Sequence, residues 1–287
     1  VRDALTVVVL TYNRPAEVLR TLHELRRLPE APRIVVVDNG STRSAADAIA
    51  EIHPDVTLVR LPENLGAAGR NHGIAAVTTP YAAFSDDDTW WTPGSLASAA
   101  RLLDRHPQVG VVCARILVGE AGREDPASTA MAQSPLDDHG LPGRAILGFM
   151  AGASVIRTSA FREAGGYCPQ LFLGGEEELL ALDLAARGWR MVYCPQLTVR
   201  HFPSGTRDAS GRHALLARNA VWVAGLRLPW RMVARRALAA LMDPRLSGTR
   251  SRVAWQTLRG LPWILSSRRT VPREIARMRA HIDATTP

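Results

Sequence analysis

The sequence predicts an α/β fold, a mixed, mostly parallel sheet flanked by helices, with a basic helical extension at the C-terminal end. Three observations carry that prediction. Short apolar runs alternate with helix-periodic segments through the first hundred residues, polar clusters follow the apolar runs, and the charge is split along the chain. Strands that alternate with helices build βαβ units and hence parallel pairing.

The elements follow in order. Leu5–Leu10 is a continuous run, apolar but for Thr6, as in a strand covered on both faces. After Asn13-Arg14-Pro15, the residues Val18, Leu19, Leu22 and Leu25 share one helical face, and Pro15 suits a first turn. Ile34–Val37 predicts a second buried strand, ending in Asp38-Asn39-Gly40-Ser41. A helix over 44–53 and a strand over 56–61 come next, then the Gly-rich Asn64–Gly73 leading into another helix. Tyr81–Phe84 predicts a fourth strand that runs into Asp86-Asp87-Asp88. Leu96, Ala99, Ala100 and Leu103 recur at helical spacing. Residues 119–144, rich in Gly, Pro, Asp and Ser, predict a long loop. Gly174-Gly175-Glu176-Glu177-Glu178 opens a helix containing Leu180 and Leu184, and Arg190–Val199 predicts a strand before His201.

Composition narrows the function classes. With 46% hydrophobic and 22% charged residues in 287, the chain is globular, not disordered. All 35 basic residues are Arg, a mark of GC-rich coding and not of mechanism. The net charge of +8 hides a step: residues 214–287 hold 14 Arg and 3 acids, whereas residues 1–213 sum to −3. The expected division is therefore a body over 1–213 and an Arg-rich helical region over 214–287. Cys113, Cys168 and Cys194 are odd in number and scattered, which argues against a disulfide scaffold or structural zinc and for a reducing compartment. Val1–Leu10 lacks the order of a signal peptide, and no apolar stretch reaches the ~18 residues of a membrane span. The expectation is a cytoplasmic protein, at most peripheral at the inner face of the membrane.

The polar clusters carry the chemistry. In parallel sheets, ligands bind beyond the carboxyl ends of the strands. Thr11–Arg14, Asp38–Ser41, Asn64–Asn71 and Asp86–Asp88 each follow a predicted strand, so they describe one rim. Three adjacent carboxylates repel one another unless a cation or solvent compensates. Mg²⁺ or Mn²⁺ with phosphate oxygens would do so, and a solvated acidic turn is the plainer reading. The Gly-rich Asn64–Asn71, with Arg70, suits a phosphate, though it is neither a Walker loop nor GxGxxG. Asp38 reads either as a nucleoside contact or as a turn-forming residue before Gly40. The three glutamates are either favourable charges at a helix N-terminus or the source of a general base. His201 reads as a metal ligand or as an ordinary histidine.

Taken in order over roughly 1–210, these motifs resemble the family 2 glycosyltransferases, inverting enzymes of the GT-A (Rossmann-like) fold that use nucleotide-diphosphate sugars. The matching pieces are Val8–Arg14, Val36–Ser41, Asn64-Leu65-Gly66, Gly69-Arg70-Asn71 and Phe84–Asp88. Gly152-Ala153, Phe161, Gly165-Gly166-Tyr167, Glu176-Glu177 and Gly188-Trp189 through His201 continue the pattern. The resemblance implies that Thr11, Asn13, Arg14, Asp38, Asn39, Gly66, Arg70, Asn71, Asp86, Asp87 and Gly152 bind the nucleotide sugar. It implies that Asp86, Asp88 and His201 hold Mg²⁺ or Mn²⁺, and that Glu176 or Glu177 is the base. The family's acidic pair is usually Glu-Asp, so Glu177 takes the place where the base is usually assigned, and Glu178 is expected to face elsewhere. Arg218-Asn219 resembles a pair that often follows the catalytic region.

The implied reaction moves a sugar from a UDP- or dTDP-sugar to a hydroxyl or amine of a glycan, lipid-linked or natural-product acceptor. The competing readings are a non-catalytic nucleotide-sugar binder of the same fold, a nucleotidyltransferase, and a nucleic-acid binder working through the Arg tail. The glutamates argue against the first, and a pyrophosphorylase-type loop is missing after strand one. The tail lacks any nucleic-acid motif, so no nucleic acid is expected as partner. Arg231, Arg235 and Arg236 beside Val233, Ala237 and Leu241, and Arg273, Arg277 and Arg279 beside Ile275, Met278 and Ile282, predict basic amphipathic helices. These either pack on the body or lie on an anionic membrane surface.

Overall fold

The computed structural model describes residues 1–203 and 209–285. Along the chain run β1 (Leu5–Thr11), α1 (Pro15–Arg26), β2 (Arg33–Asp38), α2 (Ala46–Ile52), β3 (Thr57–Arg60) and α3 (Gly69–Ala75). Next come β4 (Tyr81–Asp86), β5 (Thr89–Trp91), α4 (Ser95–Arg105), β6 (Val109–Val118), β7 (Arg123–Glu124) and α5 (Pro126–Ala132). β8 (Arg144–Ala145), β9 (Ser154–Arg157), α6 (Thr158–Ala164), α7 (Glu176–Ala186) and β10 (Arg190–His201) complete the sheet region. Five helices close the chain: α8 (Ala209–Arg227), α9 (Trp230–Met242), α10 (Arg250–Arg259), α11 (Leu261–Ser267) and α12 (Arg273–Thr285).

The strands form one sheet in the order β3-β2-β1-β4-β9-β6-β10-β5, with β7 added to β6 and β8 to β10. Its long ladders, β1 with β2 and β4, β2 with β3, and β6 with β10, are parallel; the antiparallel ladders are two or three pairs each. Alternation explains the layering. Val7, Val9, Val36 and Ala83 face a core shared with Val18, Leu22, Leu96 and Leu103 of α1 and α4. Val8, Val35, Val37 and Phe84 face the opposite core with Ile74, Phe161, Leu180 and Leu184 of α3, α6 and α7. A strand apolar at consecutive positions, as Val7–Leu10 is, has both faces covered.

Two expectations need correction. The stretch 119–144 is not one loop, because β7 and α5 lie within it and β8 starts at Arg144. Asp125 caps α5 by accepting from the Ala127 amide at 2.9 Å, with Pro126 at the first turn. The sequence reading also assigns no strand over Val109–Val118, the second-longest in the sheet.

The basic region is not separate from the core in packing. Trp222, Val223, Ala224, Leu226, Leu228, Met232, Ile264, Val271 and Ala276 belong to the same apolar cluster as α7 and β6. The charge step near residue 213 falls inside α8, which runs through it.

Candidate active site

The parallel direction of β1, β2, β4, β6 and β10 brings their carboxyl ends to one rim, and β9, antiparallel between β4 and β6, begins there. That reversal is why Gly152, just before β9, reaches the same place as Asp86 at the end of β4.

The acidic turn is built from β1 and α1 outward. Thr11 Oγ1 donates to Asp87 Oδ2 at 3.1 Å, and Thr21 Oγ1 donates to the Asp87 carbonyl at 2.7 Å. Arg14 Nη1 lies 3.0 Å from Asp87 Oδ1 and 3.1 Å from Asp88 Oδ2. Burial pushes the Asp87 carboxyl up to about 6 against the pull of Arg14, with Asp88 and Asp86 adding to the rise. Thr11, Arg14 and Asp87 therefore satisfy one another. Asp86 differs: its side chain is 43% exposed, and one oxygen accepts from Arg70 Nη2. The Asp86 amide donates to Thr89 Oγ1 at 2.7 Å, which closes the turn.

Antiparallel pairing of β5 with β10 sets His201 opposite Thr89, the residue after Asp88. The result is His201 Nε2 at 3.6 Å from Asp88 Oδ1, with the Phe202 amide donating to the Asp88 carbonyl at 2.9 Å. Pro195 cannot donate to a ladder, and the register against β6 shifts between Cys194 and Thr198. Among the described residues, no three His, Cys, Asp or Glu side chains gather where they could hold a metal ion. A Mg²⁺ or Mn²⁺ ion that takes most of its ligands from water and diphosphate needs only one or two protein donors. Asp88 and His201 supply an oxygen and a nitrogen at a separation one ion can bridge, a donor set that suits Mn²⁺ better than Mg²⁺. Asp86 is not joined to them; its carboxylate is held by Arg70.

The nucleoside candidates lie on the far side of the rim. Asn13, at φ 56°, donates from its amide to Ser41 Oγ at 2.9 Å, and its Oδ1 accepts from the Thr42 and Arg43 amides at 2.9 and 3.0 Å. Asp38 is buried and accepts from the Ser41 amide and the Ser44 hydroxyl, closing its own turn. Asn39 donates to Asn64 Oδ1 and the Gly66 carbonyl, both at 2.9 Å, so it ties β2 to the Gly-rich segment. Asn71 clamps Tyr167, accepting from its amide at 2.9 Å and donating to its carbonyl at 2.8 Å. Asn39 and Asn71 thus act as staples here.

Arg70 joins the two halves of the site. Burial opposes its charge, but Asp86, then Tyr167, Glu177 and Glu176, outweigh that and raise its pKa. Glu177 Oε1 accepts from the Ala151 amide at 2.6 Å. The next residue, Gly152, sits so close to Asp86 that a Cβ there would stand 2.7 Å from Asp86 Oδ2. One dipeptide therefore touches both carboxylates. Burial, then the neighbouring Glu176, pushes Glu177 up to about 7. Glu176 is buried, raised chiefly by burial, and its Oε2 has no hydrogen-bond partner in the structure. Glu178 turns away: Arg236 grips it at 2.6 and 3.0 Å, and Arg279 stands at 3.5 Å.

Sequence reasoning missed several contributors. Thr21 and Thr89 hold the acidic turn, and neither belongs to a motif. Phe172 packs its carbonyl against Gly66, accepting from the Ala67 amide at 2.7 Å, and lies in no readable pattern. Asn219 was legible through its Arg218 partner. Its amide donates to the carbonyls of Leu171, Leu173 and Gly174, fixing the segment that enters α7.

Comparison with known proteins places the chain in a family. Residues 6–165 match the family model for glycosyl transferase family 2. Over 204 residues the chain is 32% identical to the pre-mycofactocin glycosyltransferase of Mycobacterium tuberculosis, an alignment that covers 68% of this chain and 42% of that protein. The chain thus spans less than half the length of that relative. It is 26% identical over 237 residues to the N-acetylglucosaminyl-diphospho-decaprenol L-rhamnosyltransferase of the same organism, covering 69% of this chain and 76% of that one. The mannosyltransferase PcManGT from Pyrobaculum calidifontis, solved with GDP-Man and Mn²⁺, superposes with a TM-score of 0.58 at 20% identity, covering 100% of this chain and 77% of that one. That likeness is one of fold, and the fold is GT-A. With a family match spanning more than half its length, the chain belongs to glycosyl transferase family 2.

Proposed function

We propose that the chain is a metal-dependent, inverting glycosyltransferase. It moves a sugar from a UDP- or dTDP-sugar to a hydroxyl or amine of a glycan, lipid-linked or natural-product acceptor. The observation that carries this reading is Glu177: a carboxylate raised to about 7, held by the Ala151 amide, one residue from the backbone against Asp86. A general base works best with a pKa near the working pH.

Glu177 takes the acceptor proton as the acceptor attacks the anomeric carbon from the face opposite the diphosphate. Buried Arg70, held by Asp86 and within the field of Glu177, supplies positive charge at the rim where the diphosphate would lie. Asp88 and His201 would hold a divalent cation, whose contribution is to neutralise charge building on the departing diphosphate. Arg14 keeps Asp87 and Asp88 in place. Mn²⁺ in the PcManGT structure is consistent with such a site.

The test is transfer and hydrolysis of a panel of nucleotide-diphosphate sugars, with Mn²⁺, Mg²⁺ or EDTA. Turnover should require the cation, and Asp88→Asn should raise the Mn²⁺ concentration for half-activation at least about tenfold. Full turnover in EDTA would remove the metal from the reading. Donor binding without turnover on any acceptor would favour the non-catalytic binder.

A further inference from the structure

The C-terminal helices carry a surface that the transfer reaction does not use. In α9, the sequence Trp230–Met242 contains three Arg, no acid and no uncharged polar side chain. Such a helix has nothing with which to make an ordinary solvated face. Its inner side is Met232, with half-buried Val233 and with Arg236 gripping Glu178. Its outer side is Trp230, Ala234, Leu238 and Leu241, at i, i+4, i+8 and i+11, with Met242 beside them and Arg231 and Arg235 along one edge. Trp230, Leu238, Leu241 and Met242 are each more than half exposed.

The neighbouring helix also exposes apolar side chains beside Arg. α10 touches α9, and both pack on α8. Its outer side presents Trp255 and Leu258, again more than half exposed, between Arg252 and Arg259. Leu265 of α11 adds a further exposed apolar side chain, and Arg268 just beyond it stacks on Trp230 at 4.0 Å. The region's few acids are spent internally or lie apart: Asp243 pairs with Arg245, Asp283 with Arg236 and Arg279, and Glu274 lies on α12.

We infer that the outer faces of α9 and α10 dock on an anionic lipid bilayer. Apolar side chains with Trp, bordered by Arg and free of acids, match the boundary between headgroups and acyl chains. Arg gains roughly 1 kcal/mol per residue near such a surface, about fivefold in affinity each. A second copy of the same face is a poor occupant, because two Arg-rich, acid-free surfaces repel. Duplex nucleic acid has no use for Leu238, Leu241, Met242 and Leu258. Among the described residues no helix is long and apolar enough to cross a membrane, so the contact is with the surface.

The experiment is flotation of the full chain with vesicles of phosphatidylcholine, with and without phosphatidylglycerol, at low and high NaCl. It needs no donor or acceptor, so its outcome is independent of the transfer reaction. Binding should require phosphatidylglycerol and weaken as salt shortens the reach of the Arg charges. Leu238→Ser with Leu241→Ser should lower partitioning at least about tenfold. Arg231→Gln with Arg235→Gln should lower it about twenty-five-fold at low salt. All four sites are exposed, so far-UV circular dichroism and melting should stay as in the parent. Failure to float with phosphatidylglycerol vesicles at low salt overturns the inference. So does flotation that the Leu pair leaves unchanged, or a dimer in light scattering that the Leu pair dissolves without vesicle binding.

Discussion

Glu177 faces two opposed demands, and its substitution separates them. As the proposed base it must be ionised, yet burial and Glu176 hold it at about 7, so kcat/KM should fall below roughly pH 7 with a slope of one proton. For stability the sign is the reverse. A carboxyl whose folded pKa lies above its unfolded value binds more protons folded than unfolded, so the fold loses stability as pH rises from the unfolded pKa to about 7. Glu177→Gln keeps an acceptor for the Ala151 amide and removes the charge. It is expected to lose at least about 100-fold in turnover, to bind donor nearly as before, and to melt higher than the parent at pH 8 but not at pH 4. A Gln variant with near-parental turnover would move the base to Glu176 or elsewhere. At this scale the sequence was most informative where chemistry and fold coincide. Asp86–Asp88, Arg70 and Glu176–Glu178 could be picked out because charges at strand and helix ends have few structural reasons to cluster. Thr21, Thr89 and Phe172 could not, since a hydroxyl or a carbonyl becomes a partner only once the chain brings a distant turn against it.

Among the elements, α3 and α7 show how tightly the site's supports are packed. α3 lies flat on the sheet because Gly73 has no side chain: a Cβ there would stand 2.4 Å from Val8 Cγ1 and 2.9 Å from Val37 Cγ2. Ala is favoured over Gly in a helix by up to about 1 kcal/mol, but overpacking of this kind costs about 1–3 kcal/mol. Gly73→Ala should therefore destabilise, and Val8→Ala in the same chain should recover part of the loss, a coupling that a double-mutant cycle in urea measures. α7 is positioned from the other side. Glu178 is gripped by Arg236 and faced by Arg279, so the first turn that carries Glu176 and Glu177 is tied to α9 and α12. Glu178→Gln leaves two part-buried guanidinium groups short of a charge partner. It is expected to cost about 1–3 kcal/mol in urea unfolding while kcat stays within a few-fold of the parent. The strands β1 to β4 were readable because short, mostly apolar, β-rich runs between turn residues leave one interpretation. β6 and β9 were not assigned, and α5 was hidden in a Gly- and Pro-rich stretch, although Asp125-Pro126 is a legible helix start.

On the scale of the whole molecule, the step in charge near residue 213 invites a cut that the packing forbids. After the three glutamates, α7 is apolar but for Asp183, with Leu179, Leu180, Ala181, Leu182 and Leu184 all buried. A helix with so wide an apolar surface needs cover on more than one side. The sheet supplies one side, and Trp222, Val223, Ala224, Leu226, Leu228 and Met232 supply another. Polar ties reinforce the cover: Arg227 reaches both oxygens of Asp183, at 2.5 and 3.0 Å, and Asn219 holds three carbonyls ahead of α7. Composition registers charge and is blind to the apolar inner faces that complete the core. A chain ending at residue 213 would expose the α7 leucines and release the segment that aims Glu176 and Glu177. The fragment 1–213 is expected to lose its cooperative melting transition, to bind an apolar dye such as ANS, and to show no transfer activity even at saturating donor and Mn²⁺. A soluble fragment that melts cooperatively and retains turnover would instead make the basic helices an independent appendage, with the membrane contact as their sole task.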